Sequence, residues 1–237
     1  METRVVTVGA LIVLLAMSGC VGFVTGKPLE FTASPAAVSN SSAAEAGYTF
    51  QQYNETQLNK TVDVVGVERE VRLSFHRAIY TEQVPEQRLE RNVSKRNGNE
   101  SGRANESRVN RSLAPSAVTI ISLPDAKFFG KSVNPLVHLP NDELIKRFAG
   151  GSHGSLDDLE KASERSVQVL DSNTTLTVFN ATAETENGST DAQVSIAKTE
   201  HEGDVVLIVA IDPSGHSNHD QLDGFIAKIE HPTDAPR

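Results

Sequence analysis

The sequence predicts a single α+β domain: a mainly antiparallel β-sheet with helices packed against it, an α/β/α-type sandwich interrupted by a disordered insertion. Three observations predict it. Residues 58 to 75 alternate apolar and polar side chains on both sides of Gly66, as an antiparallel hairpin does. Residues 204 to 211, DVVLIVAI, are apolar almost throughout, which suits a central strand covered on both faces. Leu222, Phe225, Ile226 and Ile229 fall at i, i+3, i+4 and i+7, the stripe of a helix that lies on a sheet. With 38% hydrophobic and 22% charged residues in a 237-residue chain, one packed core is affordable.

The elements follow in order. Arg4 precedes an apolar run, Val5 to Met17, and the small residues Ser18 and Gly19 lead to Cys20, the chain's single cysteine. A positive start, an apolar stretch of this length and a small-residue exit make residues 1–19 a signal peptide. A thiol at the first mature position is the group a thioether lipid needs, so Cys20 is the expected lipid attachment and residues 20–35 a lipid-anchored spacer. A single acyl chain holds a membrane only marginally, so stable tethering calls for a two-chain lipid. The same stretch, Val5 to Val24, is also just long enough to span a bilayer as an uncleaved helix. Three glycines and the small-residue exit weigh against that alternative.

Residues 36–232 are expected to form the α+β domain, with 233–237 a tail. SNSSAAEAG reads as a short helix that Ser39 or Ser41 caps and Gly47 ends. The hairpin over 58 to 75 comes next. Residues 86–112 hold seven basic and four acidic residues and almost nothing apolar, too little to offset the entropy of ordering them, so they read as a flexible glycosylated insertion. AVTIISL is a strand ended by Pro124. A helix capped by Asn141 or Asp142 then presents Leu144, Ile145 and Phe148 before Gly150 and Gly151 stop it. Ser155 and Asp158 match a capping box, which predicts a second short helix carrying Leu159 and Ala162. Strands VQVL, TTLTVFNATA, AQVSIAK and DVVLIVAI follow, then the terminal helix, with Asn218 and Gln221 at its start. In the strand over TTLTVFNATA, Phe179 points to the core while Asn180 lies at an open end of the opposite face.

Ten Asn-x-Ser/Thr acceptors occur, at Asn40, Asn54, Asn59, Asn92, Asn99, Asn105, Asn110, Asn173, Asn180 and Asn187. Fourteen asparagines and thirty-nine Ser/Thr in this length give about two by chance. The excess marks these asparagines as solvent-facing in a compartment where glycans are attached.

Charge and composition exclude some functions. Residues 151 to 237 hold sixteen Asp/Glu against five Lys/Arg, and residues 1 to 150 come out at +2, so the acidic half repels phosphate backbones and no nucleic-acid partner is expected. Trp is absent and Tyr occurs three times, which removes the usual stacking platforms. With one cysteine there is neither an internal disulfide nor a cysteine metal site.

No catalytic, cofactor or metal residues are assigned. GGSHG around Ser152 spells the letters of a nucleophile elbow, but an amphipathic helix precedes it where a strand is required, and the segment reads as a helix-to-helix connection. His216, His219 and Asp220 could converge on a metal, yet a helix N-terminus explains their polarity more simply. Carboxylate pairs such as Asp157 with Asp158, or Glu184 with Glu186, lie on exposed or turn-like stretches, and acid–base work needs an apolar pocket around one of them.

LLAMSGCVGFVTG, FTASPAAVSNSSAAEAGY, GKSVNPL and VQVLDSNTTLTVFNATAE together resemble haloarchaeal cell-surface lipoproteins of a family of unknown function. The likeness covers most of the chain except 86–112. It implies a salt-loving archaeal surface and supplies no catalytic residues. The element order also looks like the PsbP and Mog1 type of sandwich, by analogy of fold alone. The expected function is therefore a membrane-anchored extracytoplasmic lipoprotein, a non-catalytic binding or accessory module for an envelope protein or a small ligand. The alternative is an envelope hydrolase using Ser152 or a metal at His216 and His219.

Overall fold

The structure, a computed structural model, describes residues 28–64, 67–83, 116–128, 130–149, 155–185, 188–212 and 218–236. The elements run β1 (Leu29–Thr32), α1 (Asn40–Glu45), β2 (Tyr48–Val64), β3 (Val67–Glu82), β4 (Ala117–Pro124), β5 (Lys127–Phe128) and β6 (Lys131–Ser132). A 3-10 turn (Pro135–His138) leads to α2 (Asn141–Ala149), β7 (Ser155–Val169), β8 (Ser172–Thr185), β9 (Gly188–His201), β10 (Asp204–Asp212) and α3 (His219–Ile226).

One eight-stranded sheet dominates, in the order β1-β3-β4-β10-β9-β8-β7, with β2 also paired to β3. β2 pairs β3 antiparallel from Val64↔Val67 to Tyr48↔Glu82, as the alternation over 58 to 75 predicts. The other edge of β3 is shared between β4, antiparallel at His76–Thr81, and β1, parallel at Val71–Ser74. β10 lies between β4 and β9 and is buried almost throughout. Its alternation feeds two cores: Val206 and Ile208 face one, and Val205, Leu207, Val209 and Ile211 the other. On the first face sit Ala43 of α1 with Leu222, Phe225 and Ile226 of α3; on the second, Leu144, Ile145 and Phe148 of α2.

This architecture corrects the expected α/β/α-type sandwich with packed helices. Among the described residues 62% are strand and 17% helical, in a mixed sheet with few helices. The three α-helices among the described residues have 6, 9 and 8 residues, so the longest of them runs about 14 Å, against roughly 56 Å for the 17-residue β2. Such helices plug parts of a sheet face and cannot layer it.

Two local readings are corrected too. Residues 155 to 162 are not a helix but the start of β7, paired from Ser155↔Glu184 to Val169↔Ser172. Register shifts at Asp157/Glu160 and Lys161/Ser163 explain the error. The bulge lets Leu156 and Leu159, three apart, both pack against the α2 core, a spacing that imitates a helix. The Ser155 hydroxyl bonds the Asp157 carboxylate at 3.1 Å instead of capping a turn. In the segment expected as spacer, Leu29–Thr32 form a parallel edge strand that makes the sheet mixed. The leader, Cys20, the 86–112 insertion and Ser152 lie outside the described residues.

Candidate functional site

Two hairpin tips and the C-terminal strap build a polar, largely buried cluster that includes Ser122, Asp204 and His231. At the β9–β10 tip Glu202 and Gly203 both have positive φ (49° and 88°), the two-residue primed turn that sets His201 directly opposite Asp204. At the β7–β8 tip Leu170 and Asp171 do the same, with φ of 47° and 62°. After α3 the chain returns as a strap, and Ala37 and Glu230 exchange backbone hydrogen bonds at 3.1 and 2.9 Å. The strap lays His231 over the sheet beside Asp204.

The geometry is specific. The Asp204 Oδ2 accepts from the Ser34 backbone N–H at 2.7 Å and from His231 Nε2 at 3.1 Å. The Ser122 hydroxyl on β4 lies 3.3 Å from the same Nε2. On the far side of the ring, His231 Nδ1 meets His201 Nδ1 at 3.0 Å, with the two rings nearly perpendicular at 75°. Asp204 assigns the proton of a neutral His231 to Nε2, so His201 Nδ1 donates to His231 Nδ1. A cleft between the hairpin tips and the strap is bordered by Asp171, His201, Glu230 and His231.

Ser122, His231 and Asp204 are the residue types of a hydrolase triad, but the arrangement is not one. A triad base uses one ring nitrogen for the acid and the other for the nucleophile, whereas here one nitrogen faces both. Ser122 is also fully buried at 0% exposure. What the cluster does is hold the N-terminal segment. Asp204 grips Ser34, His76 Nε2 bonds the Ala33 carbonyl at 2.9 Å while its Nδ1 takes the Tyr53 hydroxyl at 2.6 Å, and Thr233 N–H bonds the Pro35 carbonyl at 3.1 Å.

A second cleft, at the rim near β5 and β6, gathers Lys127, Lys131, Lys198 and His138. Two of its lysines are engaged within the fold. Lys127 pairs with buried Asp125 at 2.6 Å, which raises the lysine pKa, and Lys198 donates to the Val137 carbonyl at 3.3 Å.

The residues singled out from sequence are scattered. Asn40, Asn59, Asn173 and Asn180 are exposed and Asn54 is half-buried; Asn92, Asn99, Asn105, Asn110 and Asn187 lie outside the described residues. Phe179 is buried beside exposed Asn180. His219 and Asp220 occupy the first turn of α3, whose N-cap Asn218 accepts from the Gln221 N–H, and His216 lies outside the described residues. Of the carboxylate pairs, Asp157 and Asp158 are exposed, and the side chains of Glu184 and Glu186 are not among those described. Among the described residues no group of three or more His, Cys, Asp or Glu could hold a metal ion. No helix among them is long and apolar enough to cross a membrane.

Sequence reasoning missed Ser122, His201, Asp204 and His231. The letters HEGD carry a usable signal, since Glu-Gly between two alternating strands places His201 and Asp204 face to face. Nothing local marks Ser122 or His231, which arrive from distant elements.

Residues 35–230 match the sequence profile of a family described as Domain of unknown function (DUF6517). No curated protein matches the chain. Among solved structures, the crystal structure of PA94, a protein of unknown function from Pseudomonas aeruginosa, aligns over 76% of this chain and 97% of its own, at 12% identity and a TM-score of 0.28. That score is too low to establish a shared fold.

Proposed function

The chain belongs to the family described as Domain of unknown function (DUF6517), and on that premise we propose that it is a lipid-anchored extracytoplasmic protein of haloarchaeal type. In this reading Cys20 carries the anchor, and the body is a non-catalytic binding or accessory module at the outer face of the cytoplasmic membrane, serving an envelope protein or a small ligand. What supports the non-catalytic part is that the one Ser/His/Asp cluster described, Ser122 with His231 and Asp204, has a sealed hydroxyl and one imidazole nitrogen facing both partners, so it is not built for hydrolysis. Hydrolysis needs a nucleophile that substrate can reach and a base that orders proton transfer. These groups instead spend their hydrogen bonds on the terminal segments. The anchor part draws on the VVTVGALIVLLAMSGC run and on the exposed acceptors Asn40, Asn59, Asn173 and Asn180.

The test is fractionation of cells making the wild-type chain or Cys20→Ala. Wild type stays with the membrane, and Cys20→Ala is released to the medium or accumulates as the unprocessed precursor. A Cys20→Ala protein that is processed, lipid-bearing and still membrane-bound overturns the proposal.

A further inference from the structure

We propose that the free end of the β2–β3 hairpin is the part of the body that meets the lipid bilayer, so that the domain stands on the membrane with its Glu82 and Asp191 end outermost. This inference deepens the anchoring proposal and rests on it, since the lipid on Cys20 fixes where the chain meets the surface. β3 pairs β4 only from His76 to Thr81. Beyond that, β2 and β3 run on together from Thr56↔Phe75 to Val64↔Val67, nine pairs that make an arm of roughly 30 Å. β1 lies along this arm, with Leu29 opposite Val71 and Thr32 opposite Ser74. Because β1 is parallel to β3, the chain enters it from the side of the hairpin end.

The length of chain between Cys20 and β1 decides which end of the body can face the bilayer. The nine residue steps from Cys20 to Leu29 span at most about 32 Å. Val67 lies four residues from Val71 along β3, roughly 13 Å, whereas Glu82 lies eleven residues the other way, roughly 37 Å. The tether reaches the first with slack and is too short to lay the second on the surface. The chemistry of the hairpin end agrees. Val62, Val64 and Val67 fall within its last pairs, and Val62 is only half-buried. Lys60, Arg69 and Arg72 are matched there in number by Asp63, Glu68 and Glu70. The contact therefore rests on aliphatic side chains entering the interface, which salt does not screen, and not on net charge.

Trp is absent from the chain, so a single introduced Trp is a unique fluorescence donor. Val67→Trp and Asp191→Trp are purified from their own membranes, and each is added to preformed phosphatidylglycerol vesicles that carry a dansyl-headgroup lipid as acceptor. The two positions stand roughly 50 Å apart along the sheet, so energy transfer from Val67→Trp is expected to exceed that from Asp191→Trp at least about threefold. Thr61→Trp, at an exposed position of the arm, repeats the comparison without touching the valines and is expected to rank above Asp191→Trp as well. A lipid on Cys20 together with equal transfer from the two ends, or greater transfer from Asp191→Trp, overturns this inference alone. A free thiol at Cys20 overturns the anchoring proposal and this inference with it.

Discussion

The Tyr80 hydroxyl satisfies both backbone groups of Val38: it donates to the carbonyl at 2.8 Å and accepts from the N–H at 2.9 Å. Tyr80 and Val38 are both fully buried, so one phenol on β3 pins the segment that links β1 to α1. Tyr80→Phe keeps the ring contacts with Phe225 and Phe50 and removes only the hydroxyl. Two buried backbone groups then lose their partner. The expected cost is about 2–4 kcal/mol in urea unfolding, against a loss under ~0.5 kcal/mol if water can replace the phenol.

All three tyrosines of the chain, Tyr48, Tyr53 and Tyr80, have phenol pKa values raised above the ordinary range. Burial is the main cause in each, with Glu82 and Asp212 adding to it at Tyr48 and Glu55 at Tyr53. A raised folded-state value means that the fold binds phenol protons which the unfolded chain releases near pH ~10. Their stabilisation is complete below that pH and is lost as pH rises through the folded values. Phenolate absorbance is therefore expected to appear together with loss of circular dichroism above pH ~10, and Trp, being absent, does not interfere. Full tyrosine ionisation in a protein that keeps its native spectrum contradicts this.

Gly47 ends α1 at φ +78°, and a Cβ there would stand 2.6 Å from Gln221 Nε2, which donates to the Gly47 carbonyl at 3.4 Å. Gly47→Ala is expected to cost about 1–2 kcal/mol through the left-handed backbone alone. Adding Gln221→Ala relieves the clash and leaves the backbone term. Chemical denaturation of the single and double variants separates the two, and a Gly47→Ala midpoint equal to wild type removes the argument.

What was legible in the sequence is what local periodicity controls. Ser39 caps α1 through the Ser42 N–H, the β2–β3 hairpin pairs across Val64 and Val67, β10 is buried on both faces, and Leu222, Phe225 and Ile226 of α3 are buried together. The failures have physical causes. Bulges in β7 broke its period of two and put Leu156 and Leu159 at a helix-like spacing. β1 is four residues long and is held by β3, whose paired residues lie 42 positions away, a partner that no local pattern reveals. The candidate site was invisible for the same reason, since Ser122, His201 and His231 meet only through sheet order and the strap. His201 and Asp204 alone could have been placed, from the turn between them.

The most direct test of the anchoring claim is the intact mass of the N-terminal peptide of the protein purified from its own membranes. The expected peptide begins at Cys20, carries a lipid on that thiol and contains nothing of residues 1–19. A peptide that begins at Met1, with the Cys20 thiol free, contradicts it.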